Sequence, residues 1–195
     1  MDRLIIGKHA PPAGSSPAIV LTNPKYSHNV AGTLRLASCF GVRQVWFTGD
    51  RVRLDIEARG RIPREERMRG YKDVDLFSYD RPLEQFPAAV PVAVEMRPNA
   101  ERLHLFEHPK NAVYVFGPED GSLPQSVLSA CYRFVVIPTR HCLNLATAVS
   151  VVLWDRCTKL GEIGAHAYEE DVQPERELAR QLGLRDSKSD RDLHA

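Results

Sequence analysis

Ala112-Val113-Tyr114-Val115-Phe116-Gly117-Pro118-Glu119-Asp120-Gly121-Ser122-Leu123-Pro124 is the stretch on which the fold turns. Its first five residues are an unbroken apolar run of strand length, the clearest in the chain. The run stops at Gly117-Pro118, and the nine residues from Phe116 to Pro124 hold two glycines and two prolines. That composition makes a tight, preset turn, and glycine there lets backbone approach a ligand closely. Working outward, Ala18–Thr22, closed by Asn23-Pro24, reads as a buried strand, as do Gln44–Thr48, Val74–Phe77, Pro91–Met96 and Arg133–Pro138. Helical spacing lies between them. Asn29–Phe40 carries Val30, Leu34 and Ala37, with Gly41 as its stop signal. Pro82–Phe86 and Ser126–Ala130 are short helices, and Leu143–Lys159 is apolar on most sides, the mark of a buried helix. Strands alternating with helices predict an α/β domain, a mainly parallel sheet flanked by helices.

Residues 8–17 are rich in Pro, Gly and Ser, and the first 17 residues read as a flexible lead-in. The folded domain is expected over residues 18–164. Beyond Gly164 the chain is charged and poor in core formers, so residues 165–195 read as a surface helix and a frayed tail. The 195 residues, 43% hydrophobic and 26% charged, describe an ordinary globular protein. No apolar run is long enough to span a bilayer, and Met1–Gly7 is too short for a signal peptide. Cys39, Cys131, Cys142 and Cys157 form no CxxC pair, which argues against a zinc site or disulfide framework and for a cytoplasmic protein with reduced thiols. With a formal net charge of +1, any attraction to nucleic acid must come from local clustering. Residues 51–72 offer one, with eight basic residues against four acidic. They read either as a grip on a phosphate backbone or as a solvated loop.

Three segments follow strand ends, where α/β sheets place their sites. In Asn29-Val30-Ala31-Gly32-Thr33-Leu34-Arg35, the six-residue spacing is nearly two helical turns, which would put Asn29 and Arg35 on a similar face. Asn29 reads equally as a helix cap. Arg35 is either a surface arginine covering its neighbours with its stem, or a guanidinium aimed at a phosphate or reacting oxygen. The second segment is the turn from Phe116 to Pro124. The third is His141-Cys142-Leu143-Asn144-Leu145-Ala146-Thr147-Ala148, where small residues open a helix and Asn144 is again a potential cap.

Taken together and in this order, the three segments resemble the SpoU/TrmH branch of the SPOUT RNA methyltransferases. Asn29 to Arg35 matches Asn-x-Gly-x-x-x-Arg. Phe116 to Pro124 is similar to Phe-Gly-Pro-Glu-x-x-Gly-Leu-Pro, and Cys142 to Ala148 to Ser-Leu-Asn-x-small-x-Ala. The resemblance runs over about residues 18–160. It implies a C-terminal deep trefoil knot in the sheet, an exception to the unknotted rule. It also implies S-adenosylmethionine held by the knot loops around Val94, Gly117, Ile137, Cys142 and Leu143. Arg35 takes the position of the family's catalytic arginine, Glu119 that of an acid able to hold Arg35, and Asn29 and Asn144 those of amides that order the site. A guanidinium keeps its proton, its pKa lying above about 12, so Arg35 suits orienting the ribose hydroxyl and stabilising phosphate charge. The methyl donor is a sulfonium, so the resemblance asks for no metal.

The implied activity is 2′-O-methylation of an RNA ribose. Short members of the branch resemble tRNA enzymes that act on an anticodon-loop ribose, and only about 17 residues precede the first strand, so a separate N-terminal RNA-binding domain is not expected. The implied partners are RNA, tRNA first, and a second copy of the chain in a homodimer through the knot, with no membrane. The same reaction on ribosomal RNA, or a knotted binding protein without turnover, are the alternatives. Ala31 stands where the family has glycine, with Gly32 one place later. Cys142 replaces a hydroxyl by a thiol, and Ser122 is inserted before Leu123.

Overall fold

The structure, a computed structural model, describes residues 4–5, 14, 16–60 and 74–162. The chain divides into two compact units, Met1–Gly161 and Glu162–Ala195, and all the described elements belong to the first. The expected tail, residues 165–195, lies outside the described residues.

Among the described residues, eight strands form one parallel sheet: β1 (Leu4–Ile5), β2 (Ala18–Leu21), β3 (Gln44–Phe47), β4 (Asp75–Ser78), β5 (Val90–Val94), β6 (Glu101–Arg102), β7 (Ala112–Phe116) and β8 (Arg133–Val136). Their order across it is β1-β4-β3-β2-β7-β5-β8-β6. The α/β class, the parallel sheet and its flanking helices agree with the sequence reading. The central strands β2, β3 and β7 are buried along their whole length. They read as continuous apolar runs because both faces of a parallel sheet are covered. Side chains alternate between the two faces. Ile19 and Leu21 join one core with Tyr114 and Phe116, while Ala18 and Val20 join the other with Val113 and Val115.

Four α-helices of the described residues flank the sheet: α1 (Ser27–Cys39), α2 (Arg51–Arg59), α3 (Gln125–Ala130) and α4 (Leu145–Leu160). Helices α1 and α4 pack together on the first core. Val30, Leu34 and Ala37 come from α1, and Val149, Val152 and Leu153 from α4. Burying a side chain of this size stabilises the fold by about 1.5–3 kcal/mol, so this face anchors both helices. Asn144 caps α4 by accepting from the Ala146 and Thr147 N–H groups, and Gly161 ends it in the left-handed region at φ 68°.

A polar chain ties α4 to the sheet. His108 is only 7% exposed. Its ring lies 2.6 Å (Nδ1) from the Tyr114 hydroxyl and 2.8 Å (Nε2) from Asp155 Oδ2. With the ring neutral, Tyr114 donates to Nδ1 and Nε2–H donates to the carboxylate. Burial pushes the His108 pKa down, and Asp155 opposes this only in part. Lys159 Nζ joins the same carboxylate at 2.8 Å and donates to the Leu103 and Phe106 carbonyls.

The differences from the sequence reading are local. Leu4–Ile5, inside the expected lead-in, pairs with β4 as an edge strand. Arg51–Arg59, within the segment read as a loop or a phosphate grip, is the helix α2, seated by Val52 and Ile56 on the core. Its remaining surface mixes Leu54 and Ala58 with five charged residues, which hid the buried apolar pair. Residues 61–73 lie outside the described residues. The short β6 and the 3₁₀ turn Leu103–Leu105 that follows it have no sequence counterpart. A two-residue strand is too short to show a period.

Candidate active site

The sheet order explains where the site falls. β5 lies between β7 and β8, and β7 in turn lies beside β2. Val94 is in register with Phe116 on one side and Val135 on the other, and Phe116 with Leu21. The carboxyl ends of β2, β7, β5 and β8 are therefore level, and the loops after them converge. Such a reversal of strand order is where open α/β sheets form their binding crevice.

An open cleft of about 170 Å³ lies there. Its walls are the ends of β5 (Val94, Glu95, Met96), the turn after β7 (Gly117, Pro118, Glu119, Gly121), and the segment from β8 into α4 (Ile137, Thr139, Cys142, Leu143, Leu145, Ala148). Val94, Gly117, Ile137, Cys142 and Leu143 thus all face one cavity. At Gly117 an added Cβ would lie 3.5 Å from the Leu123 nitrogen and 3.6 Å from Glu95 Oε2, an ordinary contact distance. Nothing in the surrounding chain demands glycine at this point. What the missing side chain does is keep the cleft wall bare backbone.

Glu95 was not singled out in the sequence. Its carboxylate accepts the Leu123 N–H at 2.9 Å and the Met96 N–H at 3.2 Å. It thereby ties the end of β5 to the Gly117 turn. An apolar run ending in a carboxylate at the carboxyl edge of a sheet was the available signal. Thr139 closes the next loop by donating to the His141 carbonyl at 2.8 Å.

Beside the cleft, the three sequence segments meet in one chain of hydrogen bonds. Asn29 Nδ2 donates to Glu119 Oε1 at 2.5 Å, and Asn144 Nδ2 donates to Asn29 Oδ1 at 2.9 Å. The Lys25 N–H donates to Glu119 Oε2 at 2.7 Å. Asn29 is 2% exposed and both of its amide atoms are engaged. Asp120, next along the turn, is held by Arg51 with contacts of 3.0–3.1 Å, and Arg51 also donates to the Asn23 carbonyl at 2.6 Å. The Arg51 hydrogen bonds pull the Asp120 pKa below the ordinary carboxylate range. The β2, β3 and β7 ends are thus cross-linked by polar contacts distant in sequence.

Two expectations are corrected. Asn29 does not cap α1, because Tyr26 occupies the N-cap position. Nor do Asn29 and Arg35 share a face. Six residues at 3.6 per turn leave them roughly 120° apart, so Asn29 points inward while Arg35 is exposed. Glu119 holds Asn29 and the Lys25 backbone, while Arg35 makes no hydrogen bond or ion pair among the described residues. Arg35 is not part of the cleft lining of its own chain. No cluster of His, Cys, Asp or Glu suited to a metal occurs among the described residues.

The fold and the cleft define a parallel α/β protein with its binding crevice at a strand-order reversal. Residues 16–154 match the SpoU rRNA Methylase family, and the chain belongs to that family of RNA methyltransferases. Among similar proteins, the tRNA (cytidine-2′-O-)-methyltransferase TrmJ of Methanocaldococcus jannaschii is 28% identical over 155 residues, covering 73% of this chain and 67% of TrmJ. The A. aeolicus TrmH/SpoU tRNA modifying enzyme superposes with a TM-score of 0.64 at 18% identity, covering 89% of this chain and 93% of that one. The SpoU methyltransferase AviRb from Streptomyces viridochromogenes, solved in complex with AdoMet, has a TM-score of 0.59 at 15% identity, covering 78% of this chain and 60% of that one.

Proposed function

We propose that the protein transfers a methyl group from S-adenosylmethionine to a ribose 2′-hydroxyl of tRNA. The observation that carries this is the meeting of Asn29, Glu119 and Asn144 in one hydrogen-bonded chain at the rim of a cleft. The similarity to a tRNA 2′-O-methyltransferase supports tRNA over ribosomal RNA.

Val94, Gly117, Ile137, Cys142 and Leu143 hold the cofactor in this reading. The cleft fits it: apolar side chains, bare backbone at Gly117 and the Glu95 carboxylate suit a ligand with a flat ring, polar groups and positive charge. When bound, the cofactor supplies an electrophilic methyl on a sulfonium. Arg35 orients the ribose hydroxyl and stabilises charge on the adjoining phosphate. Asn29, Glu119 and Asn144 are positioning residues. They fix α1, the Gly117 turn and the start of α4 relative to one another, so cofactor and hydroxyl meet in one geometry.

The loops after β5, β7 and β8 form a deep trefoil knot, and two chains pair through it. Arg35 standing outside the cleft of its own chain favours a site completed between subunits. Light scattering then reads a dimer, and a mass near 21.9 kDa at working concentration contradicts the pairing. No helix of the described residues is long and apolar enough to cross a membrane. Four free cysteines support a reducing, cytoplasmic setting.

The test is transfer from labelled S-adenosylmethionine to size-fractionated RNA. Label in the tRNA fraction supports the proposal. Label confined to ribosomal RNA shifts the substrate, and cofactor binding with no labelled RNA leaves a binding protein.

A further inference from the structure

The start of α1 carries an aromatic pair that the reaction described above leaves unused. Tyr26 and His28 stack, with ring centroids 5.2 Å apart and planes 18° from parallel. Lys25 Nζ stands 5.3 Å from the Tyr26 centroid. Tyr26 is 45% exposed, and Lys25 and His28 are exposed as well. The two stacked rings are turned toward water, and Lys25 Nζ, which also pairs with Asp120 at 3.6 Å, stands over Tyr26, so aromatic surface and a cation are presented together at the start of α1.

Their position ties them to the polar chain. The backbone of Lys25 is bonded to Glu119 at 2.7 Å, and Asn29, bonded to the same carboxylate, follows His28 directly. Along α1, His28, Gly32 and Arg35 fall at i, i+4 and i+7, on one stripe. His28 and Arg35 are exposed and Gly32 is half-buried. Arg35 lies roughly 10 Å along the helix axis from His28, and Gly32 between them presents no side chain. In this chain Ala31 stands where the family pattern has glycine, and Gly32 follows it. Ala31 is 1% exposed and packs inward, while the residue without a side chain falls on the outer stripe.

We propose that the Tyr26–His28 stack, with Lys25 above it, is a platform for an unpaired nucleobase of the RNA, next to the nucleotide whose ribose Arg35 engages. The proposal rests on the RNA methyl-transfer reading and names how the RNA is held. Every base has a π-face, so aromatic stacking grips single strands with little regard to sequence, and a nearby cation adds to it. Gly32 gives the backbone of that strand room to pass between the platform and Arg35.

The test uses full-length protein and two labelled single-stranded probes, hexauridylate and an abasic hexamer with the same phosphates. Tyr26→Ala is expected to weaken hexauridylate binding about tenfold, Tyr26→Phe to leave it within about twofold, and neither to change abasic binding. His28→Ala, a second exposed position, should weaken hexauridylate in the same direction. S-adenosylmethionine affinity should stay at the wild-type value in all three variants, which excludes general unfolding. Unchanged hexauridylate affinity in both alanine variants overturns the platform, as does an equal loss on the abasic probe. The outcomes separate from those of the parent reading. Ring-dependent binding by a protein that methylates no RNA leaves the platform standing and removes the methyl transfer.

Discussion

Asn29→Ala tests whether the polar chain holds the site together. Asn29 is 2% exposed, donates to Glu119 at 2.5 Å and accepts from Asn144 at 2.9 Å. A hydrogen bond to a charged group contributes about 1.5–3 kcal/mol, and the lower end applies because Glu119 is itself exposed. The amide–amide bond adds about 1 kcal/mol. Alanine removes both and leaves the Asn144 amide without this partner, for a total loss of about 2.5 kcal/mol. For a chain of this size that lowers the thermal midpoint by about 5–10 °C. Urea denaturation is the assay, with the midpoint falling and the slope unchanged. Because Asn144 also caps α4 and Glu119 also binds the Lys25 backbone, the cofactor cleft should loosen too, and S-adenosylmethionine affinity should drop with stability. A loss below about 0.5 kcal/mol, the ordinary scale of surface substitutions, would refute the reasoning.

Three further outcomes are expected. Gly117→Ala adds a methyl group at ordinary contact distance from Leu123 and Glu95, so the denaturation midpoint should barely move, while calorimetry should show cofactor affinity weakened about tenfold, roughly 1.4 kcal/mol. Wild-type affinity in this variant would mean the cofactor does not lie against this backbone. His108 has its pKa pushed down by burial, so the unfolded chain binds the proton more readily. Its contribution to stability is complete above the unfolded value near about 6.5 and is lost as pH falls below it. Denaturation midpoints between pH 8 and 5 should therefore drop more steeply in wild type than in His108→Gln, and equal slopes would count against this. Arg35→Ala should abolish methyl transfer with cofactor affinity nearly intact, because Arg35 is outside the cleft lining. Substantial turnover would remove it from the mechanism.

What could be read from residues alone followed the strength of the local signal. The strands from Ala18, Gln44, Pro91, Ala112 and Arg133 were visible because each is an apolar run of strand length closed by turn residues, and all five lie within one residue or two of their observed bounds. Helix α2 was lost because its two buried apolar residues, Val52 and Ile56, give too thin a stripe against three arginines and two acids. The cleft was readable where sequence spacing and strand ends coincide, as at Gly117 and Cys142. Its polar wiring was not. The Glu119–Asn29 and Asn144–Asn29 bonds span 90 and 115 residues, and only the strand order brings them together. Within one chain Glu119 meets Asn29 and not Arg35, since a seven-residue spacing brings two residues of α1 to one face and the six-residue spacing of Asn29 and Arg35 does not. That same arithmetic sets His28, rather than Asn29, in line with Arg35.

The most direct test of the central claim is the position of the added methyl group. tRNA methylated by the protein from labelled S-adenosylmethionine is hydrolysed with alkali, which cleaves a phosphodiester only beside a free 2′-hydroxyl. The label is expected to survive in an alkali-resistant dinucleotide, and digestion to nucleosides to place it on the ribose. Label released in mononucleotides and carried on the base would contradict it.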